Sequence, residues 1–202
     1  MNILKLRIIL VIAAWSLAAC APANPSTAAP TAIPTQAPTI APANNPLPGN
    51  GPQNGTYTID GQPVTLVNGV AEQEAAPGSA SKKVTKYFGN PVQLDLNSDG
   101  LMDTGFVLTL QGGGSGTFFY TAAALQQAGG SYLGTNAILL GDRIAPQSTN
   151  VDPNNPNQFI VNYADRKAGE PMSAQPTVGV SRTFKVDNGA LVEVGTPPTQ
   201  VP

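Results

Sequence analysis

The sequence is poor in the residues on which much enzyme chemistry depends. It contains no His, one Cys and one Trp in 202 residues, and only 11% of its residues are charged. Without His, the Ser-His and Cys-His forms of nucleophilic catalysis and all His-metal sites are excluded. A single Cys also excludes an intramolecular disulfide framework. We therefore expect that the protein is not an enzyme.

Basic residues are also scarce, whereas Gly and Pro are abundant. Only 8 of the 10 basic residues but all 12 acidic residues follow residue 19, which leaves a net charge of −4 beyond that point. Such a chain lacks the basic surface that nucleic acids require, so we expect no nucleic-acid partner. The 21 Gly and 20 Pro residues make about a fifth of the chain and favour strands, turns and linkers.

The first twenty residues have the pattern of a targeting segment. Lys5 and Arg7 precede an uncharged stretch of 12 residues, Ile8 to Ala19, which is too short to be a confident membrane-spanning helix. The end of the stretch, Leu-Ala-Ala followed by Cys20, resembles the lipobox of bacterial lipoproteins. That resemblance implies removal of residues 1–19, lipidation of Cys20 and a place in the cell envelope, at the outer membrane if the organism is Gram-negative. The alternatives are an ordinary signal peptide with a chance Cys and an uncleaved anchor.

A linker follows the lipobox, and a short tail ends the chain. Residues 21–50 contain 8 Pro and 8 Ala and carry no charged or aromatic residue. Such a composition cannot bury a core, so residues 20–53 are predicted to form a disordered, extended linker. The linker either acts as a stalk that carries a domain away from the membrane or is a passive connection. The Pro-rich residues 196–202 are predicted to be a disordered tail.

Residues 54–195 have the pattern of one antiparallel β-rich domain. Asn68-Gly69 and Asn188-Gly189 each lie between apolar runs, which is the strongest short signal of a β-hairpin. We expect seven to nine strands, arranged as a sandwich or a curved sheet. Residues 121–128, TAAALQQA, are the best candidate for one short helix, although they could also extend the strand before them.

The segment DLNSDGLMD, residues 95–103, is the most informative for chemistry. Its oxygen-bearing side chains recur at alternate positions with a Gly at the sixth, a pattern that suits Ca²⁺ because this ion prefers six to eight oxygen ligands. It resembles the loops of EF-hand-like, dockerin-like and integrin-type propeller repeats, but Phe106 stands where an EF-hand has Glu. Asx turns without a metal are the alternative. The predicted ligands are the side chains of Asp95, Asn97, Asp99 and Asp103 and the carbonyl of Leu101.

Two Asp-Arg pairs suggest a second polar site. Arg143 lies in LLGDRIAPQ, and Arg166 and Glu170 lie in VNYADRKAGEPM. These residues either pin loops through charge-assisted hydrogen bonds or line a polar groove.

Four motifs in this order resemble a family of uncharacterised bacterial lipoproteins and secreted proteins. They are YFGNPVQLDLNSDGLMD, GGGSGTFFY, LLGDRIAPQ and VNYADRKAGEPM, and the resemblance covers about Tyr57 to Val186. It implies an extracytoplasmic domain and carries no known activity.

The sequence therefore predicts a membrane-anchored extracytoplasmic lipoprotein. Its lipid anchor at Cys20 would attach it to the membrane. Its β-domain, stabilised by Ca²⁺, would bind an unknown envelope or extracellular partner or have a structural role in the envelope. The alternative is a hydrolase that acts on glycan or cell-wall polymer with a pair of carboxylates, which needs no His. A third reading is a small-ligand binding or inhibitor module.

Overall fold

The computed structural model describes residues 51–195, so the predicted signal peptide, Cys20, most of the linker and the tail lie outside the described residues. A short 3₁₀ turn, Pro52–Asn54, precedes twelve strands, more than the seven to nine expected. The strands are β1 Thr56–Ile59, β2 Gln62–Thr65, β3 Val70–Glu74, β4 Lys82–Leu94, β5 Asp103–Gln111, β6 Phe118–Gln126, β7 Tyr132–Gly134, β8 Ile138–Asp142, β9 Ala145–Asp152, β10 Asn155–Asp165, β11 Val178–Asp187 and β12 Ala190–Val194.

The strands form three antiparallel groups. A six-stranded sheet has the order β3-β4-β5-β6-β7, and β8 also pairs with β6. A four-stranded sheet has the order β12-β11-β10-β9, and β1 and β2 form a separate hairpin. The domain is therefore mainly β, with antiparallel sheets, as the sequence predicted.

The six-stranded sheet is the middle layer, and its two faces are buried in different cores. In β5, Phe106 and Leu108 pack in the core beneath the β1–β2 hairpin. Between them, Val107 packs in the core shared with Phe159 and Phe184 of the four-stranded sheet. Because successive side chains of a strand point to opposite faces, a strand covered on both sides is apolar at nearly every position.

The same double burial explains why residues 121–126 extend the preceding strand, the second of the two predictions for this segment, and do not form the short helix. The segment continues β6 to Gln126, paired with β5 on one edge and with β7 and β8 on the other. Ala122 and Ala124 face the hairpin core, and Ala123 faces the core beneath the four-stranded sheet. Small residues are therefore placed where two layers approach the middle sheet, and their high helix propensity is overridden by tertiary packing.

The hairpin is fastened to the chain between β7 and β8. Thr58 donates its N–H to the carbonyl of Thr135 at 3.2 Å and accepts from Ala137 N–H at 2.8 Å. Gly134 lies directly beneath β1, where a Cβ atom would overlap the carbonyl oxygen of Thr56 and the ring of Tyr57. The position needs Gly because β1 passes too close for any side chain.

Candidate metal loop, arginine cluster and polar face

The predicted metal loop connects β4 to β5 and is closed by its own side chains. Asp95 accepts the N–H of Asp99 at 3.1 Å and of Gly100 at 2.9 Å, one on each carboxylate oxygen. Asn97 Oδ1 accepts from Asp99 N–H at 3.1 Å, and Asp99 Oδ1 accepts from Leu101 N–H at 2.8 Å. The bonds accepted by Asn97 and Asp99 are Asx turns, whereas those accepted by Asp95 reach four and five residues along the chain, and together they curve the loop tightly.

Asp103 differs from the other loop residues because it is fully buried. Its two carboxylate oxygens accept backbone N–H groups of Leu96, at 2.9 Å, and Gln126, at 2.8 Å. Burial raises the pKa of Asp103, the two N–H groups oppose that change, and the charges of Asp99 and Asp95 add to the increase. The side chain therefore joins the loop to the end of β6.

The donor set of the loop suits a cation that prefers oxygen ligands. Asp95, Asn97 and Asp99 would hold the ion with the carbonyl of Leu101, since each carboxylate oxygen keeps a free lone pair after accepting one hydrogen bond. Asp103 fits less well, because both of its oxygens are directed at backbone donors. Within residues 51–195, no cluster of three or more Asp, Glu, Cys or His side chains is placed to hold a metal.

Arg143 and Arg166, from the second predicted site, lie next to each other. Arg166 donates to the carbonyl oxygen of Arg143 at 3.0 Å and to that of Ala174 at 2.7 Å, so it holds the β10–β11 loop against the β8–β9 turn. Arg143 forms an ion pair with Asp142 at 2.9 Å. Asp142 also accepts the N–H of Thr117, at 2.9 Å, from the residue just before β6.

Glu170 makes its hydrogen bonds within its own turn. Its carboxylate accepts the N–H of Lys167 at 3.0 Å, and its N–H donates to the carbonyl of Lys167 at 3.1 Å. The structure therefore brings Arg143 and Arg166 together in a loop-holding cluster and leaves Glu170 in a separate local turn.

A buried ion pair was missed by the sequence reasoning. Arg182 and Glu193 form a bidentate pair, at 2.8 and 2.6 Å, between the two sheets, and their side chains are only 6% and 11% exposed. Arg182 also donates to the carbonyl of Leu139 at 2.6 Å. Burial alone would lower the pKa of Arg182, but Glu193 and Tyr163 raise it above its ordinary value. The Asn188-Gly189 hairpin places Arg182 and Glu193 diagonally on adjacent strands, which is the signal that could have revealed the pair.

The outer face of the four-stranded sheet has a row of uncharged polar side chains. Ser148 on β9, Asn162 on β10 and Ser181 on β11 occupy neighbouring positions across three strands. Asn162 donates to Ser148 at 3.1 Å and accepts from Ser181 at 2.6 Å, and Asn150 also donates to Ser148 at 2.9 Å. We call this surface the polar face; it consists of Ser148, Asn150, Ile160, Asn162, Ser181 and Thr183.

Comparisons with known proteins give no relative for this chain. No family model, no curated protein and no solved structure matches it. Among residues 51–195, no helix has the length and apolar character needed to cross a membrane.

Proposed function

We propose that the chain is a lipid-anchored extracytoplasmic binding protein, with Cys20 as its membrane attachment and the β-domain as its binding part. The observation that carries the binding role is how three carboxylates of the domain are used. Asp103, Asp142 and Glu193 each bind backbone groups or an arginine that hold loops and strands in place.

The alternative, a glycan hydrolase, needs two carboxylates about 5–10 Å apart that reach a substrate and a water molecule. Asp103 has the raised pKa of a general acid, but it is 0% exposed and both of its oxygens are occupied. Such a group cannot deliver a proton to a polymer outside the domain. The burial and hydrogen bonds of Asp103 therefore favour a structural role for this carboxylate over a catalytic one.

Ca²⁺ at the loop of residues 95–103 is proposed as a structural ion. The ion would neutralise the charges of Asp95 and Asp99, which lie on a loop that Asp103 joins to β6. Occupation of the loop would thus stabilise the contact between β4, β5 and β6.

Thermal unfolding of the processed full-length chain, with Ca²⁺ and with chelator, tests the metal part of the proposal. A site filled at a hundred times its Kd adds about 2.7 kcal/mol to the free energy of unfolding. We expect the Ca²⁺ shift in the parent chain and in Asp187→Ala, an exposed Asp outside the loop, but not in Asp99→Ala. An unchanged melting temperature at millimolar Ca²⁺ would leave the loop as a set of Asx turns.

Membrane fractionation tests the anchor. The parent chain should float with membranes after salt washing, and Cys20→Ser should not, because the variant offers no thiol for acylation. If Cys20→Ser floats equally well, an uncleaved apolar segment holds the chain and the lipid anchor is wrong. Release of soluble sugar from wall polymer by the purified chain would instead support the hydrolase.

A further inference from the structure

The segment just before β1 is hydrogen-bonded to the turn between β2 and β3. Gly69 donates its N–H to the carbonyl of Gln53 at 2.8 Å. Asn68 donates its N–H to Asn54 Oδ1, also at 2.8 Å. The chain that enters the domain is therefore paired with this turn before it becomes β1.

The second Asn-Gly turn shows that these bonds are not a general property of such turns. Asn188 and Gly189 connect β11 to β12 with positive φ angles of 49° and 78°, close to the 52° and 82° of Asn68 and Gly69. Within residues 51–195, neither backbone N–H of this second turn donates a hydrogen bond. Because the two turns share their sequence and backbone conformation, the bonds of the first turn result from the placement of the entering chain against it.

Tyr57 connects the same entering segment to the core. Its ring is only 1% exposed and packs edge-on against Phe106 of β5, with 5.3 Å between the ring centroids. Its hydroxyl donates to the carbonyl of Pro52 at 2.6 Å. The hydroxyl end of the ring lies against Gly55, where a Cβ atom would be 2.8 Å from the hydroxyl oxygen. Tyr57 thus links the carbonyl of Pro52 to the core beneath the hairpin.

Without these bonds, tension on the preceding chain would act on the weakest end of the hairpin. Thr56 and Thr65 are the terminal pair of β1 and β2, at the open end of the hairpin. A hairpin that is pulled apart at its open end loses its hydrogen-bonded pairs one after another, so each pair resists the force alone. In the folded domain, Gly69 offers a second path for the force, because its carbonyl accepts from Tyr87 N–H of β4 at 2.7 Å.

We propose that residues 52–55 form a mechanical clamp, which closes the open end of the β1–β2 hairpin and transfers tension from the preceding chain to the middle sheet. Besides the three bonds described above, the clamp includes one from Leu66 N–H to the carbonyl of Gly55 at 3.0 Å. The inference rests on the proposed attachment at Cys20, since an anchored linker would carry the tension to the domain. The core beneath the hairpin then stays closed while a bound partner pulls on the domain.

Single-molecule force spectroscopy tests the clamp, with the chain from residue 20 to residue 202 produced without lipidation. Cys20 is the only Cys of the chain and attaches one handle, and Ser115→Cys, in the exposed β5–β6 loop, attaches the other. The force then enters at residue 52 and leaves through the middle sheet. Separate opening of the fifteen residues 52–66 would lengthen the chain by about 50 Å. We expect no such early step in the parent chain, apart from its handle substitution.

Tyr57→Phe removes one hydroxyl of the clamp and keeps the buried ring. At a constant force, we expect the early step to appear in this variant and its first lengthening to occur about tenfold faster than in the parent chain, because one hydrogen bond is lost. Asn54→Ala should act in the same direction. The matched control is Ser181→Ala, which removes a hydroxyl hydrogen bond of the same 2.6 Å length on the four-stranded sheet. A thermal unfolding curve shows that each variant is folded.

Hydrogen exchange tests the clamp without force. In the parent chain, the N–H groups of Asn68 and Gly69 should have protection factors about tenfold higher than those of Asn188 and Gly189, because only the first turn donates to the entering segment. Asn54→Ala should reduce the protection of Asn68 and leave that of the second turn unchanged.

Three results would overturn the inference. They are an early step of this length in the parent chain at low force, opening of folded Tyr57→Phe and Asn54→Ala at the rate of the parent chain, and equal protection of the two Asn-Gly turns. None of these measurements uses the lipid, so a failure of the clamp is distinguishable from a failure of the anchor at Cys20, which flotation tests.

Discussion

The side-chain amide of Asn136 forms a pair of hydrogen bonds with the backbone of Leu191. Leu191 donates its N–H to Asn136 Oδ1 at 2.8 Å, and Asn136 Nδ2 donates to the carbonyl of Leu191 at 3.0 Å. The amide thus occupies the free edge of β12 as a neighbouring strand would. Because the backbone of Asn136 also bridges to Thr58 of β1, one residue connects the hairpin to the four-stranded sheet.

Asn136→Ala should destabilise the domain by about 1–3 kcal/mol. The change leaves the N–H and carbonyl of Leu191, a buried residue, without their side-chain partner, and unpaired buried polar groups carry a cost of this size. Chemical denaturation of the variant measures the loss. Asn150→Ala, at an exposed site, is the matched control and should change stability by less than about 0.5 kcal/mol. Equal effects of the two variants would contradict the role of the edge contact.

Arg182→Met should cost about 3–5 kcal/mol of stability, because it leaves the buried carboxylate of Glu193 without its partner. The double variant Arg182→Met with Glu193→Leu should recover much of the loss, since no charge then remains between the sheets. The control is Lys82→Met, which breaks an exposed pair with Glu72 that has the same N–O distance of 2.6 Å. We expect a much smaller loss of stability in Lys82→Met. A similar loss in both variants would show that burial does not determine how much an ion pair contributes to stability.

Gly134→Ala should displace β1 and destabilise the domain by about 3 kcal/mol, at the upper end of the usual cost of overpacking. The new methyl group would overlap the Thr56 carbonyl oxygen and the ring of Tyr57, both on β1. Gly179→Ala is the control, because nothing lies within 4 Å of a Cβ atom there. Denaturation curves and hydrogen exchange at Thr58 would distinguish the two variants. Native-like exchange at Thr58 in Gly134→Ala would show that β1 tolerates the methyl group.

The domain should lose stability at alkaline pH. Burial raises the pKa of Tyr57, Tyr87, Tyr120 and Tyr163 above the ordinary value. A group whose pKa is raised in the folded state contributes stability below its unfolded pKa, about 10, and loses it as the pH rises through the folded value. Each such Tyr therefore weakens the fold by up to about 1.4 kcal/mol per pH unit above about pH 10.

Urea unfolding between about pH 8 and pH 11.5, followed together with tyrosinate absorbance, tests this dependence. Tyr120→Phe should reduce the slope, since the hydroxyl of Tyr120 is buried and donates to Asp60. Ionisation of all tyrosines near pH 10 while the chain stays folded would refute the prediction.

The sequence predicted the β-hairpins because their turns depend on local chemistry. Asn188 and Gly189 both have positive φ, at 49° and 78°, which is what the Asn-Gly pair predicts for a tight turn between β11 and β12. Residues 121–128 were harder, because a strand buried on both faces has no two-residue periodicity.

Contacts between distant segments could not be read from the sequence. β9, with the sequence APQSTNVD, lacks an apolar pattern because it is an edge strand whose outward side chains form part of the polar face. In the predicted metal loop, the residue spacing indicated the curved backbone, but the bond from Gln126 to Asp103 joins residues 23 positions apart. Such pairings follow from the three-layer packing, which only the folded chain defines.

The three-layer arrangement also constrains the order in which the polypeptide can acquire its fold during synthesis. The middle sheet is covered on one side by residues 56–65 and on the other by residues 145–194. A nascent polypeptide that ends before residue 145 therefore has its first cover but presents Val107, Phe119 and Leu140 to solvent. Until residues 145–194 emerge, these apolar side chains stay exposed, and we expect a chain that terminates before residue 145 to aggregate instead of forming a smaller stable domain.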